Sequence, residues 1–300
     1  MLLALAVAFA QETREKSQQE QVDKLFARWD KPDSPGCALA IIKNGQVIYK
    51  RGYGMADLER AVPITTTSVF DVGSISKQFT AMSIALLMKQ GKLSLDDDIR
   101  KYIPEIPNYG VRITIRNLIY HTSGIRDYVP LMALAEMPSE NHYTYQQLIS
   151  LLAGQKELNF KPGEEHFYSN SGYLLLGQVV RQASGKSLRE FAEENIFKPL
   201  GMNNTRFLDD HTSIVKNRAV GYTPKEDGNG YSIKMSFFDL VGDGGLMTTD
   251  EDLFLWDQNF YQNKLGGGGS ELINQILIPG TLSNGKPFEY AYGLRISEYK

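Results

Sequence analysis

The stretch Val72-Gly73-Ser74-Ile75-Ser76-Lys77-Gln78-Phe79-Thr80 limits the fold more than any other, because a serine and a lysine three residues apart open a long apolar run. A helix starting at Ser74 places Phe79, Met82, Ala85, Leu86 and Met88 near one face, and Gly91 supplies a left-handed stop. Four apolar turns need a cover. With 300 residues and 42% hydrophobic content, the chain can bury a substantial core, as one large domain or two interleaved lobes. At the N-terminus of that helix, unpaired backbone N–H groups and the positive end of the macrodipole favour an alkoxide or oxyanion at Ser74. Lys77 projects from the same side one turn on.

The spacing alone does not single out Ser74, since Ser213/Lys216, Ser283/Lys286 and Ser297/Lys300 share it. Context separates them. Ser283 precedes an Asn284-Gly285 turn, Ser297 lies at the chain end, and Ser213 follows a polar run with no long apolar helix after it. On the residues alone Ser74 is either a nucleophile or a plain helix N-cap. A nucleophilic serine needs a neighbouring group to take its proton. Tyr168 and Asn170 are the candidates, on a loop between Pro162-Gly163 and the apolar run Gly172 to Ala183. A second Tyr-x-Asn, Tyr261-Gln262-Asn263, ends a helical pattern beside a glycine-rich loop.

Composition narrows the partners. The net charge is −3 and the basic residues form no stripe, so nucleic-acid binding finds no support and a small-molecule or peptide substrate is expected. His121, His142, His166 and His211 are spread without a His-Glu-x-x-His or Cys/His cluster, so neither metal nor cofactor is expected. The only cysteine, Cys37, sits in an apolar run and is expected to be a buried, inert thiol. Residues 1–10 form an apolar block ending Ala8-Phe9-Ala10, which fits the core and cleavage site of a secretory signal without its basic start and is too short to span a bilayer. Export to the periplasm or medium is the expectation, and residues 11–300 are expected to form the folded domain.

Along the chain, Val22, Leu25, Phe26 and Trp29 recur at helical spacing, and Asn44-Gly45 between Ala38–Ile42 and Gln46–Arg51 signals a hairpin. Helices are expected at Thr114–Tyr120, Tyr145–Leu152, Gly172–Ala183, after a Ser187 capping box, and at Thr249–Phe260 capped by Thr248 or Thr249. Thr223–Ser232 reads as a surface loop, Leu265–Ser270 as a native glycine-rich loop, and Ile276–Leu282 with Phe288–Ile296 as late strands around Asn284-Gly285.

Ser74-x-x-Lys77, Tyr168-x-Asn170, His121-Thr-Ser-Gly124-Ile125, Pro162-Gly163-Glu164, Pro199-Leu-Gly-Met202 and Gly244-Gly245 together resemble the serine beta-lactamase-related hydrolases over about residues 35–296. That family includes class C beta-lactamases, DD-peptidases, D-aminopeptidases and esterases. The resemblance implies an α/β fold of α+β type: an antiparallel sheet flanked by helices, with a mostly helical lobe inserted at about residues 80–240. It implies Ser74 as the acylated nucleophile, with its own N–H as an oxyanion donor, Lys77 and Tyr168 as the proton-handling pair, and Asn170, Gly244 and Gly245 on the substrate. A close Lys/Tyr pair titrates as a unit, so the base is not assigned to either. His121 lacks a Gly-x-Ser-x-Gly elbow to serve and is expected to hold the loop under the site. Esterase or peptidase activity is expected ahead of beta-lactamase activity, with a non-catalytic sensor or scaffold as the competing class. The family's third element, Lys-Thr-Gly or His-x-Gly on a late strand, has no counterpart here. The expectation is therefore a chain shortened at its C-terminal side, with low activity.

Overall fold

The computed structural model describes residues 16–138, 141–236 and 238–298. The block at 1–10 lies outside them. The chain forms two compact units from interleaved stretches, one of residues up to Val69 with Val215–Met235 and Thr249–Phe254, the other of Phe70–Ile214, Ser236–Thr248 and the residues from Leu255 on.

In the first unit, strands Cys37–Lys43 and Gln46–Tyr53 pair antiparallel from Cys37↔Tyr53 to Lys43↔Gln46, with a bulge between Ile41 and Ile42. Asn44 (φ 52°) and Gly45 (φ 71°) turn the hairpin in the left-handed region, where Asn and Gly are the least strained residues. Residues 16–26 are helical. Only an edge of that helix packs: Val22 and Phe26 are half-buried while Leu25 is 73% exposed. Phe26 stacks on Tyr53 with ring centroids 5.0 Å apart, and the Tyr49 and Tyr53 hydroxyls both donate to Asp23. Cys37 is half-buried rather than buried, and burial pushes its thiol pKa up, which makes it a poor nucleophile. The stretch expected as a surface loop is a longer hairpin, because β-forming residues flank it: Tyr222–Pro224 pairs with Tyr231–Ile233, and only the tip, with Gly228 and Gly230 at positive φ, is loop.

In the second unit, a short three-stranded antiparallel sheet places Phe70–Asp71 and Arg206–Phe207 on either side of Leu246–Thr248. A 3₁₀ turn, Gly73–Ile75, leads into the helix Ser76–Lys89, which begins two residues later than the spacing predicts. Eleven of its residues, Ser76, Lys77 and Phe79–Leu87, are buried, so it is enclosed on nearly every side rather than along one face. Burying Phe79, Met82, Ile84 and Leu87 contributes about 1.5–3 kcal/mol each. Its small polar residues are satisfied at close approaches: Thr80 Oγ1 donates to the Gly242 carbonyl (2.7 Å) and Ser83 Oγ to that of Phe79 (2.8 Å). Around it pack Asn170–Ser184, Leu188–Ala192 and Glu271–Ile276.

The expected capping box at Ser187 forms, two further boxes stand at Thr114 and Thr144, and Thr249 Oγ1 accepts from Asp252 N at the start of Asp250–Tyr261. The glycine-rich segment is an ordered turn, with Leu265 buried and Asn263 Nδ2 donating to the Leu265 and Gly269 carbonyls. The late strands differ from expectation. Ile276 closes the helix Glu271–Ile276, whose Leu272, Ile273 and Ile276 point inward, and residues 277–298 carry only isolated bridges, Thr281 with Pro287 and Tyr290 with Arg295. Pro279 and Pro287 remove ladder donors, and the Phe288 ring closes on Gly280, so no regular strand extends there.

Candidate active site

Three local devices deliver Ser74. Asp71 Oδ1 accepts from Gly73 N (3.0 Å), Gly73 adopts φ 50°, and Val72 N donates to the Leu246 carbonyl (3.1 Å), which ties the turn to the sheet. Ser76 completes the anchor: its Oγ donates to the Gly73 carbonyl (2.5 Å) and accepts from Leu246 N (3.1 Å). Ser74 itself is exposed.

Lys77 is 1% exposed, and its Nζ has three acceptors: Ser74 Oγ at 3.2 Å, Asn170 Oδ1 at 3.0 Å and the Asp243 carbonyl at 2.7 Å. Nζ also lies 4.8 Å from the centroid of the Tyr168 ring. Tyr168 OH donates to Ser74 Oγ at 2.7 Å. The serine oxygen is thus within hydrogen-bond distance of both the Lys77 amine and the Tyr168 hydroxyl, the reach that general acid–base transfer requires.

Asn170 is aimed by Asp127, a residue that sequence patterns do not single out. Asp127 Oδ2 accepts from both Asn170 N (2.8 Å) and Nδ2 (3.1 Å), which leaves Oδ1 for Lys77, while Asp127 Oδ1 caps the helix Tyr128–Leu134 through Val129 N (2.9 Å). An Asp before Tyr-Val-Pro is an N-cap signal, but nothing in the sequence shows that it reaches Asn170. Tyr128 OH donates to the Asp243 carboxylate (2.8 Å). Burial pushes the Asp243 carboxyl up, opposed by Lys77 and the Tyr128 hydroxyl, and burial also raises the Tyr128 phenol.

His121 underpins Tyr168. The imidazole is 1% exposed; burial first, then Lys77 and His166, push its pKa down to about 3. Nδ1 accepts from Ser169 N (3.2 Å), which assigns the proton of the neutral ring to Nε2, donating to Tyr290 OH (2.9 Å). Tyr290 OH lies 3.5 Å from Tyr173 OH, and Tyr173 OH donates to the Ile119 carbonyl (3.0 Å). With both nitrogens engaged and its ring centroid 4.5 Å from that of Tyr168, His121 supports the loop, while Ser123 Oγ accepts from Ile125 N instead. The backbone does the same work. His121 and Gly124 adopt positive φ (54° and 72°), and Phe167 N, Gly163 N and Asn159 N donate to the carbonyls of His121, Thr122 and Gly124. A Cβ on Gly124 would stand 2.0 Å from the Phe160 carbonyl oxygen. Thus His121-Thr-Ser-Gly124 and Pro162-Gly163 clamp the segment carrying Tyr168 and Asn170.

Gly244 and Gly245 border a cavity of about 220 Å³ together with Asp71, Gly73, Tyr128 and Phe238. Gly245 needs its glycine for φ 79°, whereas a Cβ on Gly244 would meet nothing within 4 Å. Of the competing motif copies, Ser213 Oγ donates to Asp210, Tyr261 is 77% exposed, and Ser283 N donates to the Gly163 carbonyl of the clamp. Among the described residues, no helix is long and apolar enough to cross a membrane.

Known proteins share this arrangement of chain. Penicillin-binding protein 4* of Bacillus subtilis is 32% identical over 263 residues, 84% of this chain and 57% of that protein. A D-aminopeptidase of Gluconobacter oxydans is 28% identical over 263 residues, 87% of this chain and 48% of that protein. The chain therefore spans about half the length of the curated relatives it matches. A penicillin-binding protein homologue from Pyrococcus abyssi, described as octameric, superimposes with a TM-score of 0.73 at 29% identity, covering 85% of this chain and 59% of that one. The Beta-lactamase family pattern matches residues 22–300, and with the relatives above it shows that this chain belongs to the beta-lactamase family.

Proposed function

We propose that the protein is a serine hydrolase that forms an acyl-enzyme at Ser74 on amide or ester substrates. One observation carries the reading: Ser74 Oγ lies 2.7 Å from Tyr168 OH and 3.2 Å from Lys77 Nζ, at the start of a buried helix. In the acylation step the Tyr168/Lys77 pair enters one proton short, as phenol with neutral amine or phenolate with ammonium; Ser74 Oγ attacks the carbonyl carbon as its proton passes to that pair, and the Ser74 backbone N–H stabilises the oxyanion. The carbonyl re-forms as the leaving group departs with the proton the pair took up. Water then attacks the Ser74 ester with the same pair accepting its proton, which releases the acid and restores the serine. Asn170 holds Lys77 in place and offers its amide to the substrate.

The D-aminopeptidase relative supports amides of D-amino acids as the first substrate class, with simple esters beside them and beta-lactams third. Intact-mass analysis after a fluorophosphonate is the test. One adduct, mapping to the Ser74 peptide and lost in Ser74→Ala, is expected; absence of any adduct on folded protein overturns the reading. Parallel rates on a D-alanyl p-nitroanilide, p-nitrophenyl butyrate and nitrocefin rank the classes.

A further inference from the structure

Linear spacing separates His142 from His211, yet the fold brings them together. His142 Nε2 lies 2.7 Å from Asp239 Oδ2, and His211 Nδ1 lies 2.9 Å from Asp239 Oδ1. The imidazole centroids are 4.9 Å apart, and one donor atom from each of the three residues falls within 4.8 Å of the others, the one such group among the described residues. We propose that His142, His211 and Asp239 form a binding site for a divalent transition-metal cation, Zn²⁺ by its donor set.

The chemistry is that of a three-ligand zinc site. Two imidazole nitrogens and a carboxylate oxygen suit Zn²⁺ at about 2.0–2.2 Å each, and the ring nitrogens that now hydrogen-bond Asp239 would present lone pairs to the cation in place of those bonds. Two neutral imidazoles and one carboxylate leave the cation a net positive charge and an open position for water. All three side chains are partly solvent-exposed, at 42%, 30% and 29%, which provides entry and room for that water. The carboxylate is oriented before any cation arrives: His211 N donates to Asp239 Oδ1 at 2.6 Å, the kind of outer contact that positions a metal ligand.

The three ligands lie on separate irregular segments. A cation would cross-link them. Phe238, next to Asp239, borders both the cavity beside Gly73 and Gly244 and a neighbouring apolar cavity of about 500 Å³ lined by Val129, Met132 and Met137. Zinc would therefore fix the segment that walls the space next to the nucleophile. Binding itself does not depend on the chemistry at Ser74.

The test is calorimetric titration of tag-free protein with ZnCl₂, with Co²⁺ absorption as a report on coordination. We expect one Zn²⁺ per chain with saturable binding well below about 1 mM, visible bands of four-coordinate Co²⁺, and a Tm rise of about 5 °C at a hundredfold excess over Kd. His142→Ala and His211→Ala should each weaken binding by about tenfold or more. His142→Gln, a milder change on the most exposed ligand, serves if His211→Ala fails to fold. No saturable binding below about 1 mM, or binding unaltered in the folded His142 and His211 variants, overturns the proposal.

Discussion

His121→Gln should uncouple part of the protein's acid sensitivity from the rest. In the unfolded chain His121 takes up a proton below its ordinary value near 6.5, but in the folded protein burial, Lys77 and His166 delay this to about 3. Above pH 7 neither state is protonated and the group contributes nothing to pH dependence. As pH falls from 6.5 towards 3 the unfolded state alone gains the proton, so stability drops by about 1.4 kcal/mol per pH unit and then levels off. At pH 4.5 this amounts to about 2.7 kcal/mol. Gln lacks the titration yet can still accept from Ser169 N and donate towards Tyr290. Urea unfolding followed through Trp256, in a Trp29→Phe background, gives the loss between pH 7.5 and 4.5 for each protein. His121→Gln should start less stable at pH 7.5, because its network is imperfect, but lose about 2–3 kcal/mol less on acidification. His166 and the carboxylates are common to both proteins and cancel. Equal losses would refute the argument and mean that His121 charges in the folded state near its ordinary value.

Tyr168→Phe removes the hydroxyl 2.7 Å from Ser74 and keeps the ring against His121, so kcat/KM should fall by about 10²–10⁴ with Tm nearly unchanged. Steady-state rates on the best substrate check this, and a loss under about tenfold would remove Tyr168 from proton transfer. Asp127→Ala strips the acceptor from Val129 N, Asn170 N and Asn170 Nδ2, so about 2–3 kcal/mol of stability and some 3–5 °C of Tm should go, with fluorophosphonate labelling slowed about tenfold. Normal labelling with a lowered Tm would reduce Asp127 to a helix cap.

Much of this site is legible in the sequence because its members are local. Ser74 and Lys77 share one turn, Tyr168 and Asn170 one loop, and the capping box at Ser187 can be read from four residues. The partners that aim these groups are not legible, since Asp127, Asp243 and Tyr290 meet them only through contacts across the fold. The same holds for His142 and His211, which meet through Asp239 rather than by spacing. Strand prediction fails where apolar content is mistaken for extended structure: Ile276 belongs to a helix face, and Pro279 and Pro287 interrupt the chain beyond it. At Thr223–Ser232 the error runs the other way, because a polar Gly-rich tip hides the pairing of its flanks.

The three acceptors of the Lys77 amine lie 3, 93 and 166 residues away along the chain. Closing such loops is slow compared with winding a helix. In a refolding chain the Ser76–Lys89 segment can therefore become helical well before its lysine has anything but Ser74 to bond. On the proposed mechanism, Ser74 becomes competent only when the Asn170 and Asp243 segments dock. The time course of fluorophosphonate labelling after dilution from denaturant would accordingly track the arrival of long-range topology, whereas far-ultraviolet circular dichroism would track the helices. The interval between the two signals is a clock for assembly of the fold, read at a single side chain.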